Sequence, residues 1–569
     1  MPTELAALVL AAGYCFAGLG VLAALGLVRP SAGGVAAALG LAFMTGVATV
    51  LLAGIALLCT GAPVGSGTLA LLAGVIGAGG LALSARRDEL RWGGCQAHRS
   101  GAGRSASAGR LTLEGRSTLE GAHPRARTRA CAAPNDDGGG TERPMRTARA
   151  ARRVGFDRWV AITVLLALGV FAVLTFRWAR VQPLEAWDSW SIWARKATLL
   201  YDFGHLPSAF FTSPVYAFMH QGYPLLIPLY ESSWFHAVGG ADTQSLHVWF
   251  WVLFVAFLWA TAYVASRVAR PAVWAPLVGL LAVTPAIWSQ LMTMYADVPM
   301  GLFLMLGALA LGLWIAGRRG RDLALAVLML AAAAGTKDEG LTGAVSVLAA
   351  ALALTLVAGA PGVSRRRAPA PLLAAIAGFA VLIAPWRLWL AAHHITSEMP
   401  VGHGLDPSYL LERGDRVSPT VNALFAEVTN QSNWAYLLPL ALALVIAGLA
   451  TPRLRAVAAF YALAGLAAAA TILWAYVISA NELPWLISTS ANRTVVGPML
   501  IAAAAIFHLA GALTRELARA PRAGSRVRLA EPALANAAAP ASADTVTALG
   551  ADTASALETG ARAVRGTAA

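Results

Sequence analysis

Charge is scarce in this chain: 13% of its 569 residues are Asp, Glu, Lys or Arg, roughly half the share of an ordinary soluble protein. With 58% hydrophobic residues and a mean hydropathy of +0.63, such a chain cannot clothe several soluble domains in polar surface, which excludes the classes its length alone would suggest. Cysteine is also scarce. Cys15, Cys59, Cys95 and Cys131 have no close spacing, so neither a disulfide framework nor a zinc site is supported. No glycine-rich phosphate loop precedes a strand, which argues against a nucleotide-sugar domain. Lysine is nearly missing, with only Lys196 and Lys337 among 43 basic residues. The segment from Met1 to Val28 lacks a basic leading stretch and runs into further apolar sequence, so it reads as a retained span and not as a cleaved signal.

What is present is a succession of apolar runs of the length that crosses hydrocarbon as helix, near 5–28, 33–59, 67–84, 159–178, 245–266, 272–290, 298–316, 322–336, 339–360, 371–392, 434–450, 456–478 and 496–514. They predict an all-α polytopic membrane protein with about 13 transmembrane helices. The net charge of +14 resides largely in arginines between the runs. Placing residues 86–158 in the cytoplasm brings every other basic cluster to the same side, as the positive-inside rule requires, so the charge reports topology and no nucleic-acid partner. The same alternation puts 179–244, 291–297, 393–433 and 479–495 outside, in a plasma-membrane, multi-pass arrangement. Four parts are expected: three N-terminal helices over 1–84, a basic disordered cytoplasmic linker over 85–158, a membrane domain over 159–515, and a disordered cytoplasmic tail over 516–569. The stretch 86–158 holds 16 arginines against 8 acids, with many Gly, Ala and Ser.

Polarity concentrates in the outer segments. In Glu185–Lys196 the residues Trp187, Trp190 and Trp193 stand at helical spacing, which predicts a helix on the membrane surface with Asp188 at the water boundary. For the tryptophans alone an aromatic belt is the plainer reading; for Asp188 a functional role is favoured. Tyr223-Pro224-Leu225-Leu226-Ile227-Pro228 then leads towards Glu231 and another apolar stretch. In Tyr295-Ala296-Asp297-Val298-Pro299 the acid has almost no loop to solvate it, so Asp297 either starts a helix or faces a cavity or partner. Both lysines fall on the outer side beside acids, where a compact ammonium suits a phosphate or a close carboxylate; for Lys337 the plain alternative is pairing with Asp338 or Glu339. Arg493 stands on the outer side against the charge rule and needs an anion, either Glu482 or a ligand phosphate. His393, His394 and His403 lie in a loop where solvated histidines are commoner than a metal site, so a divalent metal is possible but not indicated.

At these residues the chain resembles the GT-C superfamily of membrane glycosyltransferases, closest to its bacterial branch related to protein O-mannosyltransferases and to the aminoarabinose transferase of lipid A. The resemblance covers roughly 155–515 and rests on Trp187 to Lys196, Tyr223 to Pro228, Tyr295 to Pro299, Thr336-Lys337-Asp338-Glu339-Gly340, and Ser488 to Arg493. It implies a GT-C-like body with extracytoplasmic loops carrying surface helices, a polyprenyl-phosphate sugar donor, a glycan, lipid or protein acceptor, and no certain cofactor. It further implies Asp188 as catalytic base with Asp297 in support and Lys337 near the carrier phosphate; Trp187, Trp190, Arg195, Lys196, Tyr223, Tyr295, Glu339 and Arg493 are the further candidates for substrate binding. The mannosyltransferases carry adjacent Asp and Glu in the first outer loop, whereas here Ser189 follows Asp188. The chemistry fits the residues on its own account, because one carboxylate to take a hydroxyl proton and a few cations to hold a departing phosphate suffice. A transporter or lipid flippase is the alternative; it would place charge near the bilayer midplane, often in repeated halves, and neither pattern is visible.

Overall fold

Hydrocarbon offers backbone amides no partner, so apolar runs of this length close their hydrogen bonds internally as helix. A computed structural model describes residues 2–28, 31–104, 142–358, 368–395 and 401–519, with the backbone alone at 88–104 and 142–154. Over their described residues all thirteen apolar runs fall mainly on helix, and no strand occurs among the described residues. The helices that matter for the argument are α1 (Thr3–Leu25), α2 (Ala32–Cys59), α3 (Ser66–Arg104), α4 (Glu142–Ala179), α5 (Ala194–Phe203), α6 (Leu226–Val238), α7 (Leu246–Ser266), α8 (Pro271–Val283), α9 (Pro285–Met292), α10 (Asp297–Gly317), α11 (Gly320–Thr336), α12 (Asp338–Ala358), α13 (Ala370–Ala392), α14 (Val417–Val428), α15 (Leu437–Ala450), α16 (Arg455–Ile478), α17 (Leu483–Thr494) and α18 (Val496–Arg519).

The chain is therefore an all-α, polytopic membrane protein. Among the described residues ten helices are long and apolar enough to cross a membrane, or eleven if α8 and α9, bent by 50° at Thr284, form one broken span. The other two expected crossings are short: α11 has 17 residues and α15 has 14, and 14 residues rise only about 21 Å against a hydrocarbon core of about 30 Å. The expected linker begins and ends as helix, continuing α3 and running into α4, while its centre at 105–141 and the tail from 520 lie outside the described residues.

Helix α10 is the axis of the bundle. Its whole apolar window is buried, against a third for α1 and 6% for the membrane-length part of α4. It packs on α11 and α18 most extensively, and on α12 and α16. The N-terminal α1 and α2 cross closely through small residues: a Cβ on Gly46 would sit 1.8 Å from the Tyr14 carbonyl oxygen. In lipid, such close backbone contact, and not water expulsion, supplies much of the attraction between helices. Helix α2 also packs on α7, which joins the N-terminal helices to the body.

Candidate functional site

Segments far apart in sequence meet where α10 begins. Asp297 is the first residue of α10, Glu339 lies in the first turn of α12, and Arg493 in the last turn of α17. Lys337 occupies the break between α11 and α12, where the backbone is extended at φ −155° and ψ 157°. That corner is tight. A Cβ on Gly340 would lie 2.0 Å from the Ala333 carbonyl oxygen, so Gly340→Ala should push α12 off the end of α11 and cost about 1–3 kcal/mol, read as a lower melting temperature of the purified protein. An unchanged melting temperature would show that the corner can relax.

Asp188 comes from the loop after α4, directly before a π-helical turn over Ser189–Trp193. The Ser189 hydroxyl donates to the Thr293 carbonyl and ties this loop to the approach to α10. Met294, the next residue, holds φ at 59°, an unusual conformation for a bulky side chain and a sign that the surroundings dictate the bend.

The charges form one alternating chain. Arg493 donates from Nη2 to Asp188 Oδ2 at 2.5 Å and from Nε to Asp297 Oδ2 at 3.3 Å. Lys337 donates from Nζ to Asp297 Oδ1 at 2.7 Å and lies 3.0 Å from Glu339 Oε1. Arg493 also stands 4.3 Å over the centre of the Tyr295 ring. Burial pulls the Lys337 ammonium down, yet the Asp297 and Glu339 carboxylates outweigh it and hold this lysine above its ordinary pKa.

Exposure divides the roles. The side chain of Asp297 is 1% exposed and that of Lys337 3%, whereas Asp188 is 20%, Arg493 16% and Glu339 31% exposed. A ligand can therefore reach Asp188, Arg493 and Glu339, while Asp297 and Lys337 brace them from behind. Glu339 Oε2 is itself buried and has no hydrogen-bond partner among the described residues, so the 31% exposure of this side chain lies on its other atoms.

Several sequence expectations change at this point. Within the chain, the anionic partners of Arg493 are Asp188 and Asp297 rather than Glu482. Lys337 pairs with Glu339 and Asp297, while its neighbour Asp338 turns to Arg387 at 2.6 Å, because consecutive residues on a helix point about 100° apart. Asp297 does start a helix, but its oxygens serve the two cations and no side-chain cap forms. The three tryptophans do not share one surface: the π turn rotates Trp193 inward to full burial, while Trp187 and Trp190 remain exposed and pack edge-on with ring centres 4.6 Å apart. Arg195 is exposed on α5.

Lys196 is fully buried and donates to the carbonyls of His220 at 2.6 Å and Tyr223 at 3.3 Å. Its ammonium and that of Lys337 both lie 5.9 Å from the Tyr223 ring, which stacks on Trp193 at 5.6 Å and on His220 at 4.9 Å. The two lysines of the whole chain thus flank one tyrosine. His393 bonds through Nδ1 with the Trp389 carbonyl, and among the described residues no group of three His, Cys, Asp or Glu is placed to share a metal. The acid that the sequence named without a role is Glu231, wholly buried in α6 with neither carboxylate oxygen bonded among the described residues; its place beside an apolar stretch was the available signal. No protein-family model, curated protein or solved structure matches the chain.

Proposed function

We propose that the chain is an integral membrane glycosyltransferase, moving a sugar from a polyprenyl-phosphate donor to a hydroxyl of a lipid, glycan or protein at the extracytoplasmic face of the plasma membrane. The observation that supports it is the convergence of Asp188, Arg493 and Glu339, all reachable, on the buried Asp297–Lys337 pair at one end of the bundle. A transporter needs its ionisable groups near the midplane with access from both sides, whereas these sit at helix ends. On this reading residues 159–515 form a GT-C-like body with three helices before it, and the short α11 and α15 bring the crossings to thirteen.

In the reaction the acceptor oxygen bonds to the anomeric carbon as the bond from that carbon to the phosphate oxygen breaks. Asp188 takes the hydroxyl proton. The leaving polyprenyl phosphate keeps the electron pair, and its charge grows from about one to about two. Arg493 is the partly exposed cation that can meet this charge, exchanging part of its contact with Asp188 for a phosphate oxygen. Lys337 and Asp297 hold Arg493 and Glu339 in place. Trp187 and Trp190 offer apolar faces at the mouth for a prenyl chain or sugar ring.

Purified protein in lipid, incubated with a panel of radiolabelled polyprenyl-phosphate sugars and membrane or wall acceptors, should release unlabelled carrier and move label to an acceptor. Movement of intact labelled lipid between leaflets without cleavage of the sugar–phosphate bond would point to a flippase instead. Sidedness has its own test. Cysteines at Glu185 and Ser488 should react with an impermeant thiol reagent in intact cells, and one at Ser117 should not; the reverse pattern would overturn the extracytoplasmic placement.

A further inference from the structure

The opposite end of the same helices carries a second polar site. Helix α10 has 21 residues and so is about 30 Å long, with Asp297 at one end and Leu313, Ala316 and Gly317 lining a cavity at the other. That cavity has a volume of about 380 Å³, and five arginines line it against two acids. The arginines come from the ends of four different elements: Arg267 closes α7, Arg319 precedes α11, Arg453 precedes α16, and Arg515 and Arg519 end α18.

The two acids do not neutralise this set. Asp322 takes Arg267 at 2.6 Å, and Glu516 is shared by Arg453 at 2.8 Å and Arg519 at 2.7 Å. Arg319 and Arg515 have no carboxylate partner among the described residues, and Nη1 of Arg267 is buried without a hydrogen-bond partner. Like charges gathered around one hollow repel one another unless an anion enters, and an unpaired buried guanidinium nitrogen is a donor lacking an acceptor. The floor is apolar, from Val268, Leu313 and Val457.

We propose that this cavity binds a phosphate-bearing anion, its oxygens received by Arg319 and Arg515, the two lining arginines without a carboxylate partner. Guanidinium groups match phosphate in geometry and charge, and two of them left unpaired in the lining of one hollow can receive it. The phosphate belongs either to an anionic lipid headgroup in the adjoining leaflet, whose chains would run along the bundle, or to a small soluble phosphate ester. Basic pockets between helix ends on the cytoplasmic side are suited to such headgroups. The site is independent of the proposed transferase reaction, being about a bilayer's thickness away from it.

The test uses the full chain in nanodiscs. One arm compares discs of phosphatidylcholine alone with discs containing phosphatidylglycerol; the other titrates glycerol 3-phosphate against the phosphatidylcholine discs. Melting temperature and native-mass retention of the added ligand are read in both. The wild type should gain stability in at least one arm, with the gain falling as salt rises. The variant Arg319→Gln with Arg515→Gln should bind roughly tenfold or more weakly in that arm, since each arginine near an anionic headgroup contributes about a factor of five. Neither residue leaves a carboxylate orphaned when replaced, and Arg319→Gln alone serves if the pair does not fold. A response to phosphatidylglycerol assigns the lipid, and a response to glycerol 3-phosphate alone assigns the soluble ester. The control Arg86→Gln with Arg158→Gln, which removes two exposed arginines outside the cavity, should behave as wild type. No response in either arm, an undiminished response in the cavity variant, or an equal loss in the control would overturn the proposal.

Discussion

Asp188→Asn is expected to leave a folded protein that has lost sugar transfer by 10² to 10⁴-fold, on the order of 3–5 kcal/mol of barrier. The amide oxygen can still accept the bond from Arg493 Nη2, and Arg493 keeps its second carboxylate, Asp297, so little of the ion-pair chain is disturbed. What is lost is an acceptor for the hydroxyl proton. The comparison that gives the result meaning is Glu339→Gln, which alters the other reachable carboxylate. If Asp188 is the base, transfer by Glu339→Gln should remain within about tenfold of wild type, since Glu339 contributes only charge near the site. Single-turnover rates for both variants, with melting temperatures to confirm the fold, decide the matter. An active Asp188→Asn beside an inactive Glu339→Gln would move the base to Glu339.

Lys337→Met should have the largest effect on stability. It keeps the apolar stem and deletes only the ammonium, taking one of two cations from Asp297 and the ion-pair partner from Glu339. Glu339, with its side chain 31% exposed, keeps partial access to water. Asp297, at 1% exposure, does not. Removing one member of a buried pair costs about 3–5 kcal/mol because the charge left behind is poorly compensated. The double variant Lys337→Met with Asp297→Asn should recover a large part of that loss, because the uncompensated carboxylate goes with its partner. Asp338→Asn should not perturb Lys337, since Asp338 pairs with Arg387. Thermal unfolding of the three variants in one detergent gives the comparison; a Lys337→Met protein as stable as wild type would show that the pair is not the brace described here. Because Lys337 is buried behind Asp297, a donor-binding defect without a stability defect would instead indicate that the site opens to admit phosphate.

The helical architecture was legible in the sequence for a local reason. An apolar run about twenty residues long must satisfy its amides within itself in hydrocarbon, so the position of each long apolar helix follows from composition, whereas shorter helices such as α6 and α14 do not. How many of those helices span by length was less legible: the run 322–336 was already short and α11 extends it only to 17 residues, while the run 434–450 breaks near Ala435 and leaves α15 with 14. The site was half legible. Scarcity of lysine singled out Lys337, and an arginine on the wrong side of the charge rule singled out Arg493, because an ionised group at a helix end must find a partner.

Which partner it finds was decided only by tertiary packing. Arg493 and Asp188 are 305 residues apart, and Arg493 and Asp297 are 196 apart; no periodicity reports such distances. They meet because α10 lies buried at the centre with α11 and α18 packed along it, so that the start of α10, the α11–α12 corner and the end of α17 share one end of the bundle. The same packing gathers five arginines from separate loops around one cavity, where the sequence showed only a row of basic clusters on one side. Local hydrogen bonding and hydrophobicity determine which segments become helices, but an ion pair depends on where helix ends come to rest, and that is a property of the packed bundle.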